Sequence, residues 1–161
     1  MTTTTREAQI TAHPTLPTIT ITREFDSTPD KVFRCWTEQQ YAEVWLGPSY
    51  STNRIDHWDC RTGGGYRYAT VVDGEEVASF YGSFHEVRPS SRLVQTFTWE
   101  GMPDGVALET VTFEELPGGR TLVTILSLVD SMEGQQAIMS SGMEVGVNDG
   151  FGKLDDILAK L

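Results

Sequence analysis

Hydrophobic and polar positions along this chain follow one period and then another, and each change marks a different kind of structure. Residues Met1 to Pro17 are rich in Thr, contain Pro14 and Pro17 and show no apolar period, so they predict a mobile or loosely docked arm. From Thr18 the pattern becomes strict. Ile19, Ile21, Arg23 and Phe25 alternate with Thr20, Thr22 and Glu24, a β-branched run with the two-residue repeat of a strand.

That strand stops at Asp26-Ser27-Thr28-Pro29-Asp30, where a hydroxyl N-cap, a proline in the first turn and an early acid together open a helix. Val32 and Trp36 lie four apart on it, and Tyr41, Val44 and Trp45 form the apolar face of a second short helix that Gly47-Pro48 ends. Alternation then returns in runs near 53–58, 65–73, 76–87, 92–100, 108–116 and 120–129. Asp73-Gly74 and Pro117-Gly118-Gly119 suit tight hairpins, and residues 101–105 a longer loop. Such short connections require antiparallel neighbours, because parallel ones need long crossovers.

The period changes a last time near the C-terminus. Met143, Val147, Phe151, Leu154, Leu158 and Leu161 recur every three or four residues and occupy one face of a helix, with Asp130 and Glu133 as a capping pair at its start. Gly142, Gly146 and Gly150 lie beside that stripe, each costing about 1 kcal/mol of helix propensity relative to alanine. Tertiary packing must therefore hold this helix. A sheet with one apolar face and a helix with one apolar stripe bury those faces against each other, which gives an α+β domain in two layers over residues 18–161.

Composition narrows the function. With 12 basic against 23 acidic residues the net charge is −11, spread along the chain, which disfavours nucleic acid and anionic membranes and favours solubility. No apolar run is long enough to span a bilayer and no signal peptide is evident, so no membrane insertion and a cytoplasmic location are expected. Cys35 and Cys60 read as two structural thiols. His13, His57 and His85 are scattered, no metal-ligand spacing occurs, and neither a phosphate-binding loop nor a nucleophile elbow is present, so no metal and no cofactor are expected. The glycines at 63–65 lead into a strand and read as a turn or bulge. A homodimer enters only as the commonest closed assembly.

Several segments carry a family resemblance. Arg23-Glu24-Phe25, Pro29 through Phe33, Trp36-Thr37, Trp45-Leu46-Gly47-Pro48, Asp59-Cys60-Arg61-Thr62-Gly63-Gly64, Gly82 through Val87 and Ser141-Gly142-Met143-Glu144-x-Gly146 resemble, in order, the motifs of the START-like (SRPBCC) superfamily, in its heat-shock-protein ATPase-activator-homologue branch. The resemblance implies the helix-grip fold: a curved antiparallel sheet around a long C-terminal helix, two short helices after the first strand, and a pocket between. It implies binding or transformation of apolar molecules. The branch's namesake contacts a chaperone with the help of a second domain that this chain is too short to contain, which argues against chaperone contact here.

Within that frame, strand parity puts Tyr66 with Tyr68, Phe97 with Trp99, Val111 with Phe113 and Phe80 with Phe84 on shared faces. An aromatic stripe facing a helix can be solid core or pocket lining, and Tyr66, Tyr68 and Trp99 are the better lining residues because each has a polar handle. The expected ligand-binding set is Trp45, Tyr66, Tyr68, Phe80, Phe84, Phe97, Trp99, Phe113, Met139, Met143 and Val147. Trp36 is expected to pack the short helices, whereas Trp45 either packs or flanks the mouth. The glycines at 142, 146 and 150 either permit close packing or leave room for a ligand. Glu86, if inward with Phe84, and Glu109 are the carboxylates whose burial could support acid/base chemistry. The leading expectation is a noncatalytic carrier or sensor of a small hydrophobic molecule. A small enzyme of the cyclase or hydrolase kind and a co-chaperone-like interaction domain are the alternatives.

Overall fold

A computed structural model describes residues 6–161. The chain runs β1 (Gln9–Ala12), β2 (Thr18–Phe25), α1 (Pro29–Thr37), α2 (Gln39–Trp45), β3 (Thr52–Trp58), β4 (Gly65–Val72), β5 (Glu75–Arg88), β6 (Arg92–Trp99), β7 (Ala107–Leu116), β8 (Arg120–Leu128), α3 (Met132–Met139) and α4 (Met143–Leu158). The strands form one eight-stranded antiparallel sheet in the order β1-β2-β8-β7-β6-β5-β4-β3. It is open and curved, with the helices on its concave side, in agreement with the expected α+β helix grip.

Curvature has a local cause that hydropathy does not reveal. Register slips at Asp56 of β3, between Ile55 and His57, and twice in β5, at Val77 opposite Thr70 and Val71 of β4 and at His85 between Phe84 and Glu86. Each bulge bends its strand and increases twist, and all three lie in one half of the sheet. The bulge at His85 also corrects one expectation. Glu86 does not follow Phe84 inward; it forms ion pairs with Arg88 and Arg92 at 3.0 and 3.1 Å.

Two further differences concern the chain ends of the sheet. The arm expected before Thr18 contributes β1, which pairs with β2 and is held to α4 where the Ala8 amide donates to Asn148 Oδ1 at 2.8 Å; Met1 to Thr5 lie outside the described residues. The C-terminal helix is broken. Ser131, not Asp130, caps α3 by accepting from the Gly134 amide at 3.0 Å, and Gly142 turns the chain into α4 with φ +80°, a left-handed conformation that glycine adopts without strain.

The core lies under α1, α2 and the C-terminal half of α4. Phe25 is fully buried and meets Trp36 and Phe151 edge-on, and Trp36 lies 4.6 Å from Trp45 between ring centres. The buried Trp45 and the half-buried Trp58 each place the indole N–H on a backbone carbonyl of α1, Trp45 on Cys35 and Trp58 on Thr37, each at 2.8 Å. Asn53 donates to the Leu46 and Glu43 carbonyls, closing the otherwise open end of α2. Arg23, which alternation puts on the inner face of β2, is bound bidentately by Asp155 of α4 at 2.5 and 2.6 Å and lies 4.6 Å from the Phe25 ring centre.

Candidate functional site

Helix α4 has two unlike halves. Phe151, Leu154 and Leu158 are buried in packed core, and Gly150 lets the helix approach α2 so closely that a Cβ there would stand 2.7 Å from the Trp45 carbonyl oxygen. One turn earlier the neighbours withdraw. A Cβ on Gly146 would meet nothing nearer than Pro48 Cδ at 3.9 Å, and Met143, Gly146 and Val147 face open space. The three glycines thus divide the two readings between them: Gly142 turns the chain, Gly150 permits close packing against α2, and Gly146 borders a cavity.

That cavity encloses about 720 Å³ between the N-terminal half of α4, α3 and the concave face of the sheet. It is within the size range of pockets that take up drug-sized molecules. Tyr66 and Tyr68 stack at 6.2 Å between ring centres, Tyr68 lies 5.2 Å from Phe80, and Phe80 stacks on Phe97 at 5.1 Å, so β4, β5 and β6 present one continuous aromatic wall. Trp36, Trp45 and Phe151 close the core side. Trp99, Met102 and Val106 line the cavity yet are about half exposed, which marks its mouth at the β6–β7 loop.

Eight of the eleven expected residues line this space: Trp45, Tyr66, Tyr68, Phe80, Phe97, Trp99, Met143 and Val147. The other three do not. Phe84 is packed among Trp58 and Tyr66, Phe113 lies between Phe33 and Trp36, and Met139 is on the outer side of α3. Strand parity identified the correct face for Phe84 and Phe113 but not how far along that face the core ends. Trp45 both packs against Trp36 and forms part of the wall.

The polar groups are few: Asp130 and Ser141 flank α3, and those on the sheet are arranged by register. Gln95 of β6, Glu109 of β7 and Ser127 of β8 are direct cross-strand partners and form a short polar row across the apolar surface. Gln95 Nε2 donates to Glu109 Oε1 at 3.1 Å. Burial in this apolar setting raises the Glu109 pKa above the ordinary carboxylate range, and the Gln95 hydrogen bond opposes that shift. Tyr66 donates to the Thr96 carbonyl at 2.6 Å, while the Tyr68 hydroxyl has no hydrogen-bond partner among the described residues. Burial, followed by the nearby Glu109 charge, raises both phenol pKa values, so both remain protonated donors at neutral pH. Among the described residues, no Lys, Arg or His lines the cavity. Among the described residues no cluster of three or more His, Cys, Asp or Glu could hold a metal ion, and no helix is long and apolar enough to cross a membrane.

A family model described as Activator of Hsp90 ATPase homolog 1-like protein matches residues 26–159. The chain belongs to that family. The match begins just after β2 and runs through α4, so it spans the cavity walls contributed by β3–β8 and the helices. Solved structures share this fold. A protein from Arthrobacter aurescens is 25% identical with a TM-score of 0.85, covering 95% of this chain and 92% of its own. One from Rhodobacter sphaeroides is 21% identical, TM-score 0.84, over 95% and 99%; one from Mycobacterium smegmatis is 23% identical, TM-score 0.82, over 93% and 95%. The last two establish the fold alone. No curated protein matches the sequence.

Proposed function

We propose that this member of the activator-homologue family binds a small hydrophobic molecule in the cavity beneath the N-terminal half of α4 and acts as a noncatalytic carrier or sensor. One observation carries the reading: a space of about 720 Å³ walled by aromatic and aliphatic side chains, open at the β6–β7 loop and backed by a cluster of buried core residues. Empty apolar volume forgoes the dispersion contacts that packing would supply, so an apolar guest gains what the wall lacks. The polar row favours a carrier over an enzyme. Its one carboxyl is held by the neutral amide of Gln95, and the Ser127 hydroxyl opposite makes no hydrogen bond to it, whereas acid/base or nucleophilic chemistry requires such a pair.

Thermal denaturation against a library of apolar small molecules tests the proposal, because a ligand that binds only the folded state raises its melting temperature by mass action. Val147→Trp introduces an indole into the cavity from α4 without displacing packed core. Stabilisation of the wild type by members of the library, and its loss in Val147→Trp, is the expected result. Absence of any shift, or shifts of equal size in the variant, would contradict it.

A further inference from the structure

The cavity lining is one-sided in charge as well as distinct in shape. Its lining includes Glu109 on the sheet and Asp130 at the start of α3 and, among the described residues, no basic side chain, so an anionic head group would enter with no counter-charge to meet it. Burying an unpaired charge beside another of the same sign is among the costliest arrangements in a low-dielectric site. A cationic head group finds the reverse. Glu109 Oε1 is engaged by Gln95 alone, leaving acceptor capacity on the carboxyl directed at the space, and Ser127 lies directly opposite it on β8. The stacked rings of Tyr66, Tyr68, Phe80 and Phe97 present π faces, which attract cations. A net charge of −11 further favours the approach of cations.

From this arrangement we infer that the natural ligand class is an apolar amine, with its ammonium group hydrogen-bonded to Glu109 and its hydrocarbon or aromatic body against the β4–β6 ring wall. This rests on the binding proposal above and adds the head-group chemistry to it. An ammonium supplies three donors to a carboxylate that has only one neutral partner, and the resulting charge-assisted bond is strengthened by burial. Carboxylates and phosphates of the same hydrophobic body are excluded by the same carboxyl.

The test compares three probes that differ only in head group, 2-naphthylmethylamine, 2-naphthalenemethanol and 2-naphthoate, by isothermal titration calorimetry at neutral pH and physiological salt. The wild type should bind the amine at least about tenfold more tightly than the alcohol, the scale of a hydrogen bond to a charged group, and the alcohol more tightly than the acid. Glu109→Gln keeps size and hydrogen bonding and should bring amine and alcohol to within about twofold of each other, while Glu109→Leu should do the same and strengthen binding of the acid. Melting curves of both variants confirm that they fold. Equal affinity for amine and acid in the wild type, or an amine preference that survives in both variants, overturns the inference while leaving the binding proposal standing if the alcohol still binds. Binding of none of the three overturns both.

Discussion

Three glycines of α4 offer a controlled experiment on the division of the helix, because alanine gains the same helix propensity at each and differs only in what its methyl group meets. Gly152 is exposed, and a Cβ there has nothing within 4 Å, so Gly152→Ala should report propensity alone: about 1 kcal/mol of added stability. In a domain of this size that corresponds to roughly 2–4 °C in Tm. Gly146→Ala should match it, since Pro48 Cδ at 3.9 Å is an ordinary contact and the cavity lies beyond. Gly150→Ala should reverse sign. Its methyl group would stand 2.7 Å from the Trp45 carbonyl oxygen, a backbone atom fixed in the core, and 3.5 Å from the Trp45 ring, so α4 must move away from α2. Overpacking of this kind costs about 1–3 kcal/mol, which the propensity gain offsets only in part, for a net loss of up to about 2 kcal/mol. Urea unfolding followed by circular dichroism, with unchanged m-values, measures all three. If Gly150→Ala is as stable as Gly152→Ala, the close approach of α4 to α2 is wrong. If Gly146→Ala destabilises, the space under the first half of the helix is wrong.

Other expectations follow from the buried polar groups. Glu109 is held above its unfolded pKa, so between about pH 4.3 and its folded value the native state binds more protons and stability falls as pH rises. Glu109→Gln should therefore be the more stable protein near pH 7.5, with the difference vanishing below about pH 4; melting curves with the same offset at every pH would contradict this. Asp155→Ala strands the Arg23 guanidinium, whose side chain is 4% exposed, but Asp155 itself is 43% exposed and water can partly replace it. A loss of about 2–3 kcal/mol is expected, and adding Arg23→Met should recover part of it in chemical denaturation. Burial pushes the Cys35 thiol up to about 11 and the Cys60 thiol up to about 12, so neither should react with a thiol reagent at pH 8 until urea unfolds the chain. Rapid labelling of the native protein would refute that.

Elements whose signal is local were legible in the sequence. Alternation and turn dipeptides placed β2 to β8 to within a residue or two, and proline before an acid placed α1. What depended on coordinates along an element was not. Gly142, Gly146 and Gly150 share one helical face at spacing four, yet only the backbone shows that the first is a turn, the second borders empty space and the third touches α2. The bulges that curve the sheet leave no hydropathic trace, and the one after Phe84 turned Glu86 outward. β1 is too short, at four residues, for alternation to stand out. Glu109 was recognisable as a carboxyl in an apolar strand. Its partners Gln95 and Ser127 were not, because only the β6–β7 and β7–β8 registers bring them together. The Arg23–Asp155 pair joins residues 132 apart, and the outward sign of it was an arginine at an inward position of β2.

The central claim is that α4 covers apolar space with its first half and solid core with its second. Methyl-resolved NMR under xenon pressure tests it most directly, because xenon enters dry apolar cavities and shifts the methyl groups that line them. Val111, Ile125, Ile138 and Val147, which line the cavity, should shift in a saturable way, while Val32, Leu154 and Leu158, in the filled core, should not. Shifts spread evenly over both sets, or no saturable shift at Val147 and Ile125, would contradict the cavity and with it the proposed function.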